Sequence, residues 1–289
     1  MSSENILDKV KKLRELTGVG FKDCKIALDE NKGNIEKSIE FLRIKGISKA
    51  NKKMERVAAD GLVSISDKEN NFSIIEINSE TDFVAKNNEF IKFVEETSKL
   101  ALQCQGKMQN ILNSAMSNKK NVNDNLVSLI SKIGEKITLR RSDFVGDDNC
   151  LNFSYVHSAI KKNIGKIGVL ISIKSKISRN ELTELGKQIS MHVAASAPLA
   201  LDKADLSSDI LKKEKEIISE ELKNSGKDPK IVDKIAEGKL NKFINDNTLL
   251  NQEWILEPKK KVKEVLKEIS SKDKIEIVKF IRFKVGEGI

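Results

Sequence analysis

Glu76-Ile77-Asn78-Ser79-Glu80-Thr81-Asp82-Phe83-Val84-Ala85-Lys86-Asn87 is the stretch on which the reading of this chain turns. Overlapping its start, Phe72-Ser73-Ile74-Ile75-Glu76-Ile77 is short and rich in β-branched residues, the pattern of a strand. After it, Glu89-Phe90-Ile91-Lys92-Phe93-Val94 opens a helical pattern. Ser79, Thr81 and Asp82 are residue types that turn a chain and cap a helix, because their short oxygens accept backbone N–H bonds. Phe83 and Val84 sit inside this polar turn. Phe83 is either a packed strand-to-helix corner or an anchor for a partner, and the residues alone leave both open.

Outward from this turn the chain states one plan twice, in order of elements rather than in residue identity. Gly61–Ile65 and Phe72–Ile77 read as two strands around a turn at 68–71. Helical segments follow at about 88–104 and 122–134, then a third strand over Lys136–Arg141. In the second half the strands are Phe153–His157 and Lys166–Ile173, a helix follows near 179–194, and Phe280–Val285 is the last strand. The expected class is α+β, with two subdomains at 57–145 and 146–289, each an antiparallel three-stranded sheet covered by helices.

Two further modules flank this core. Ile6, Leu7, Val10 and Leu13 recur at helical spacing after a capping Ser3, and Thr17-Gly18-Val19-Gly20 breaks the pattern. Phe21, Cys24, Ala27 and Leu28 form the next stripe, and Asn34 caps a third with Ile35, Ile39 and Leu42. Residues 1–56 therefore read as a three-helix bundle resembling the ubiquitin-associated fold, ending in a basic linker from Lys45 to Arg56. Cys24 lies on the apolar stripe and reads as a small buried hydrophobe. Within the second subdomain, about 205–245 reads as an inserted antiparallel hairpin of coiled-coil type. One stripe, with Ile210, Ile217 and Leu222, stops at Asn224-Ser225-Gly226, and Asp228-Pro229 starts another with Ile231, Ile235 and Leu240.

Composition narrows the function classes. The 289 residues are 39% hydrophobic, 33% charged and 4% aromatic, which suits a helix-rich globular protein of two or three modules. No apolar run approaches the roughly 20 residues of a membrane helix, and the N-terminus has no secretory pattern. Cys24, Cys104 and Cys150 are far apart and form no CxxC, which suits a reducing cytoplasm and excludes a disulfide framework. Net charge is +9, and residues 1–56 carry 14 Lys plus Arg against 9 Asp plus Glu. That excess raises the alternative of a basic RNA- or ribosome-associated protein. Against it, only seven of the 52 basic residues are Arg, acids interleave throughout, and one Tyr and one Trp make a poor stacking platform. The chain lacks a GxxxxGK[ST] phosphate loop, and His157 and His192 stand in no metal or nucleophile arrangement. No enzyme chemistry and no cofactor are expected.

The central stretch resembles the core motif of bacterial elongation factor Ts, the nucleotide-exchange partner of the GTPase elongation factor Tu. Leu13-Arg14-Glu15-Leu16-Thr17-Gly18-Val19-Gly20-Phe21-Lys22-Asp23-Cys24-Lys25-Ile26-Ala27-Leu28 resembles the family's N-terminal motif. Agreement extends through Met191–Ser196 to Phe280–Ile289, so it spans nearly the whole chain.

The resemblance implies a cytoplasmic exchange factor that binds elongation factor Tu, nucleotide-free and GDP-bound, and expels GDP without chemistry of its own. It implies Asp82 and Phe83 as the intruding pair, with Phe83 entering a pocket near the GTPase's Mg²⁺ site and Thr81 and Val84 beside them as partner-binding residues. Arg14, Phe21 and Lys22 would brace the nucleotide domain; Ile167, Gly168 and His192 would meet the distal domain. A homodimer of the complex is a further expectation; a membrane or a specific nucleic acid is not. Many relatives continue into another C-terminal helix where this chain ends at Gly288-Ile289, so a weaker complex is expected.

Overall fold

The computed structural model describes residues 6–17, 19–53, 55–223, 229–270 and 273–289. The expected cap at Ser3, Gly18 of the first turn, and the 224–228 stop and cap lie outside them.

Three helices, α1 (Ile6–Thr17), α2 (Phe21–Glu30) and α3 (Ile35–Lys53), bury Val10, Leu13, Cys24, Ala27, Leu28 and Leu42 against one another. Asn34 caps α3 as expected, its side chain accepting from the Lys37 N–H at 2.9 Å. Burial pushes the Cys24 thiol pKa up, consistent with an inert core residue. The expected linker is corrected, because Lys45 to Lys53 continue α3. Gly46 lets α3 approach the later helix α7 (Val122–Ile133) closely, since a Cβ there would lie 2.6 Å from the Ser131 hydroxyl. Arg43 pairs with Asp124 across the same contact at 3.2 Å.

β1 (Asp60–Lys68), β2 (Asn71–Ser79) and β3 (Ile137–Val145) form an antiparallel sheet with β2 central. Between β2 and β3 run α4 (Asp82–Ala85), α5 (Asn88–Gln103), α6 (Met108–Asn113) and α7. Their apolar faces cover one side of the sheet over Leu62, Ile75, Ile77 and Leu139. Asn87 caps α5 through the Glu89 and Phe90 N–H groups, and Gly134, at φ 90°, ends α7 in the left-handed region.

The second sheet orders β4 (Leu151–His157), β6 (Ile167–Lys174) and β9 (Glu276–Lys284), all antiparallel and covered by α8 (Arg179–Ser196). The hairpin is α9 (Ser208–Lys223) and α10 (Pro229–Asn247), so α10 opens on proline as expected. Its base packs Leu211, Leu240, Phe243 and Ile244 on Ala200 and Leu206. Besides α6, three elements had no sequence expectation: β7 (Glu253–Trp254), β8 (Glu257–Lys261) and α11 (Val262–Ile269).

The first sheet is not three-stranded. A two-residue strand, β5 (Ile164–Gly165), joins the outer edge of β1, pairing Gly165 with Val63. Ser158 and Asn163, at φ 51° and 64°, turn the chain back to cover that edge. The two sheets also share an apolar layer, with Val63, Ile65, Phe72 and Ile74 facing Leu170, Ile281 and Phe283. A boundary near residue 145 therefore leaves a core under the helices of each half, while β5 and the shared layer cross it.

One buried carboxylate ties these parts together. Glu76, fully buried, lies on the face of β2 that carries Phe72 and Ile74. The β2–β3 register shifts there, so that Glu76 opposes Arg141 while Ile77 opposes Leu139. The bulge leaves Arg140 as an extra residue and lets both arginines reach one side of the sheet. Arg141 Nε donates to Glu76 at 2.6 Å, Arg140 at 3.1 Å, Asn78 at 2.9 Å and the Gly286 N–H at 2.9 Å. Burial alone would raise the Glu76 pKa; the Gly286, Asn78 and Arg141 hydrogen bonds more than reverse that and hold it below the ordinary carboxylate value.

Two outcomes follow. Glu76→Gln strands two arginines on a neutral partner and costs about 3 kcal/mol in urea unfolding at neutral pH. Because the folded-state pKa is depressed, the Glu76 contribution is complete above the unfolded value, about 4.3, and is lost as pH falls through the folded one. The variant therefore shows a flatter acid limb of stability below about pH 5. Separately, replacing 212–239 with a short Gly-Ser linker keeps the base of the hairpin, so melting stays cooperative and Tm shifts by less than about 4 °C.

Candidate partner-binding site

The turn after β2 is built by what happens where the ladder stops. The last β2–β3 pair is Ser79 with Ile137. Glu80 then accepts the Lys136 backbone N–H at 2.5 Å and pairs with Arg56 at 3.3 Å. Thr81 donates its N–H and its hydroxyl to the two oxygens of Glu135, at 3.0 and 2.8 Å. The Ser79 hydroxyl donates to the Thr81 carbonyl at 3.0 Å. Past Thr81 the chain makes the single turn α4, in which successive side chains point about 100° apart. Val84 and Ala85 face the core and are buried. Phe83 faces out and is 79% exposed. The two readings of Phe83 are thereby decided: the ring is no packed corner.

Asp82 and Lys86 flank the ring and pair at 2.7 Å, four residues apart on the same side. The Lys86 hydrogen bond holds the Asp82 carboxyl below its ordinary pKa, and Asp82 in turn raises that of Lys86. The turn thus presents an apolar ring beside a persistently ionised acid. Val84, expected by resemblance among the contact residues, is buried in the core and anchors the turn from inside. Both Thr81 donors are engaged internally with Glu135.

Arg14, Phe21 and Lys22 lie on the helical bundle, at the last turn of α1 and the first of α2. All three are exposed, Phe21 by 45%. A cleft of about 700 Å³ separates the bundle from the core, lined by Leu16, Val19, Lys92, Phe93 and Met116 among others. None of the ten expected contact residues lines it. The candidate site is a set of protrusions, not a pocket.

The third group differs from expectation. Ile167 is half-buried. Gly168 lies in the layer between the sheets, where a Cβ would come within 2.6 Å of Val63 Cγ1 and 2.8 Å of Ile74 Cδ1. It is a close-packing glycine, not a surface. His192 is fully buried, with its ring stacked on Trp254 at 5.2 Å and 21°. Its Nε2 lies 3.0 Å from Gln252 Oε1, and its Nδ1 accepts the Ile255 N–H at 3.4 Å. That acceptor role assigns the proton to Nε2. Burial pushes the His192 pKa down and keeps the ring neutral. His192 and Gly168, which the resemblance assigned to the distal contact, are both buried and pack inside the protein.

What His192 supports is the β7–β8 turn, whose Ile255 and Leu256 are 37% and 55% exposed. Sequence reasoning missed this pair. The signal was present, two apolar residues directly before Glu257-Pro258 in a lysine-rich segment, the same anomaly that drew notice to Phe83.

The family model described as elongation factor TS matches residues 80–287. The elongation factor Ts of Gluconobacter oxydans is 40% identical, over 97% of this chain and 91% of that protein. That of Parvibaculum lavamentivorans is 39% identical, and that of Xanthobacter autotrophicus 42%, each over 97% of this chain and 92% of the relative. Agreement at that level along both partners leaves one conclusion: the chain belongs to the elongation factor Ts family.

Proposed function

We propose that this chain is a guanine-nucleotide exchange factor that binds elongation factor Tu, in its GDP-bound and nucleotide-free states, and promotes GDP release during translation elongation in the cytoplasm. The observation that carries the reading is Phe83, a phenyl ring 79% exposed on a turn whose other apolar residues are buried. A solvated aromatic ring held outward has most of its apolar area still to bury, which is what an anchor seated in a partner's pocket uses.

In this mechanism Phe83 enters an apolar pocket of the GTPase beside its Mg²⁺ site, with Asp82 alongside. Mg²⁺ neutralises phosphate charge, so disturbing its ligands weakens the hold on GDP. Arg14, Phe21 and Lys22 brace the nucleotide domain from the helical bundle. Ile255 and Leu256, with half-buried Ile167, supply the second anchor on the distal domain. The coupling is reciprocal: if the factor lowers GDP affinity, a nucleotide in excess lowers factor affinity and drives it off. One buried ring contributes roughly 1.5–3 kcal/mol, so a separate anchor is needed to turn local intrusion into displacement.

The direct test is release of labelled GDP from purified elongation factor Tu with and without this protein. Phe83→Ala sharpens it. Because the ring is exposed, denaturant unfolding changes by less than about 1 kcal/mol. Stimulated release falls about thirtyfold or more, as for loss of an interface hot spot. A strongly destabilised variant, or full release from a stable one, removes Phe83 from the mechanism. For the second anchor, Leu256→Ser raises the half-saturating factor concentration about tenfold while leaving Tm unchanged. Wild-type half-saturation would return the distal contact to other residues.

A further inference from the structure

Continuing the β2–β3 register past Ser79 and Ile137 sets Glu80 opposite Lys136 and Thr81 opposite Glu135. A continued ladder would join these pairs by backbone bonds. Here each segment offers a carboxylate instead, Glu80 to the Lys136 N–H and Glu135 to the Thr81 N–H. The two acids cross-brace the chain at the point where it leaves the sheet.

For Thr81 this breaks a local rule. It holds the N-cap position of α4, where a threonine hydroxyl ordinarily accepts from the first-turn N–H groups. It makes no cap bond, at φ −128° and ψ 158°, and its hydroxyl donates to Glu135 instead. A cap forgone in favour of a long-range bond, 54 residues away in sequence, marks a constraint beyond local helix stability. The far end of α4 is fixed independently, by burial of Val84 and Ala85. Phe83 stands between these two fixed points.

We propose that Glu135 is a positioning residue for the Phe83 wedge: by holding both Thr81 donors it fixes the turn that presents the ring. The proposal rests on the exchange reading above. Without Glu135 the Thr81 hydroxyl is free to cap α4 and the turn samples other conformers. A turn that is competent a tenth of the time binds about tenfold more weakly, yet works at full rate once saturated. That split distinguishes positioning from loss of fold.

The test uses full-length Glu135→Ala and Glu135→Gln in GDP release measured against factor concentration. Amide hydrogen exchange over 80–86 and thermal melting accompany it. Expected for Glu135→Ala is a half-saturating concentration about tenfold higher, an unchanged maximal rate, faster exchange in the turn and an unchanged Tm. Glu135→Gln, which keeps one acceptor oxygen, falls between. Thr81→Val added to Glu135→Ala costs less than the sum of the two single effects, because the bond that both remove is already gone. Wild-type half-saturation and turn exchange in Glu135→Ala overturn the proposal. So does a lower maximal rate that tracks a lower Tm, which would make Glu135 an ordinary structural residue. If the unmodified protein stimulates no release, the exchange reading fails, and turn exchange in Glu135→Ala then decides the brace by itself.

Discussion

The buried Glu76 carboxylate is the constraint on which this architecture closes. An ionised group inside a sheet is tolerated only when its lone pairs are filled. The donors come from three parts of the chain: Asn78 on its own strand, Arg140 and Arg141 on β3, and the Gly286 N–H beyond β9. The last of these brings the C-terminal strand of the second sheet to the central strand of the first. Gly286 is admitted only as glycine, at φ 73° and with a Cβ position 2.0 Å from the Ala59 carbonyl oxygen. Arg141 also lies over the Phe283 ring at 4.2 Å, so the polar hub borders the apolar layer between the sheets. The strand that carries Glu76 runs on, three residues past Glu76, into the turn that presents Phe83.

That continuity explains how an apolar ring can stand in water without unravelling its surroundings. A free loop would fold the ring inward. Here Val84 and Ala85 already fill the inward positions, and Glu80 and Glu135 hold the chain as it leaves the ladder. The direction of Phe83 follows from what its neighbours have taken. The same logic governs Ile255 and Leu256, where Trp254 fills the inward position and His192 holds the Ile255 N–H.

Much of this order was legible in the sequence, for physical reasons. Strands β2 and β6 are long β-branched runs, and α5, α7 and α8 carry apolar stripes with polar caps, so periodicity identified them. The failures also have causes. β5 is two residues long and exists only because β1 offers an unpaired edge. The 45–53 stretch read as a linker because its lysines mask a helix whose packing residue is Gly46, poor in propensity but suited to close approach. By resemblance Gly168 and His192 were expected to meet the distal domain; in the fold the one fills a gap that a Cβ would close and the other stacks on Trp254. Phe83 by itself could not decide its direction, because that follows from Val84 and Ala85 taking the core positions beside it, a packing outcome that residue types in a turn do not reveal.

The two apolar protrusions stand on different sheets, and this makes the shared layer matter for function. Phe83 follows a strand of the first sheet, while Ile255 and Leu256 rest on the helix that covers the second. If the sheets were joined by a flexible link, each protrusion would bind on its own and strain at one would relax at the other. The layer of Val63, Ile65, Ile74, Leu170, Ile281 and Phe283 removes that freedom, and β5 and the Glu76–Gly286 bond reinforce it. A close-packed core resists such relative motion. The proposed mechanism draws on this: two anchors at fixed separation let affinity gained at one hold an intrusion at the other. On the proposed exchange reading this rigidity is what lets the two protrusions act together, because a ligand can move an equilibrium only by its differential affinity for the two states.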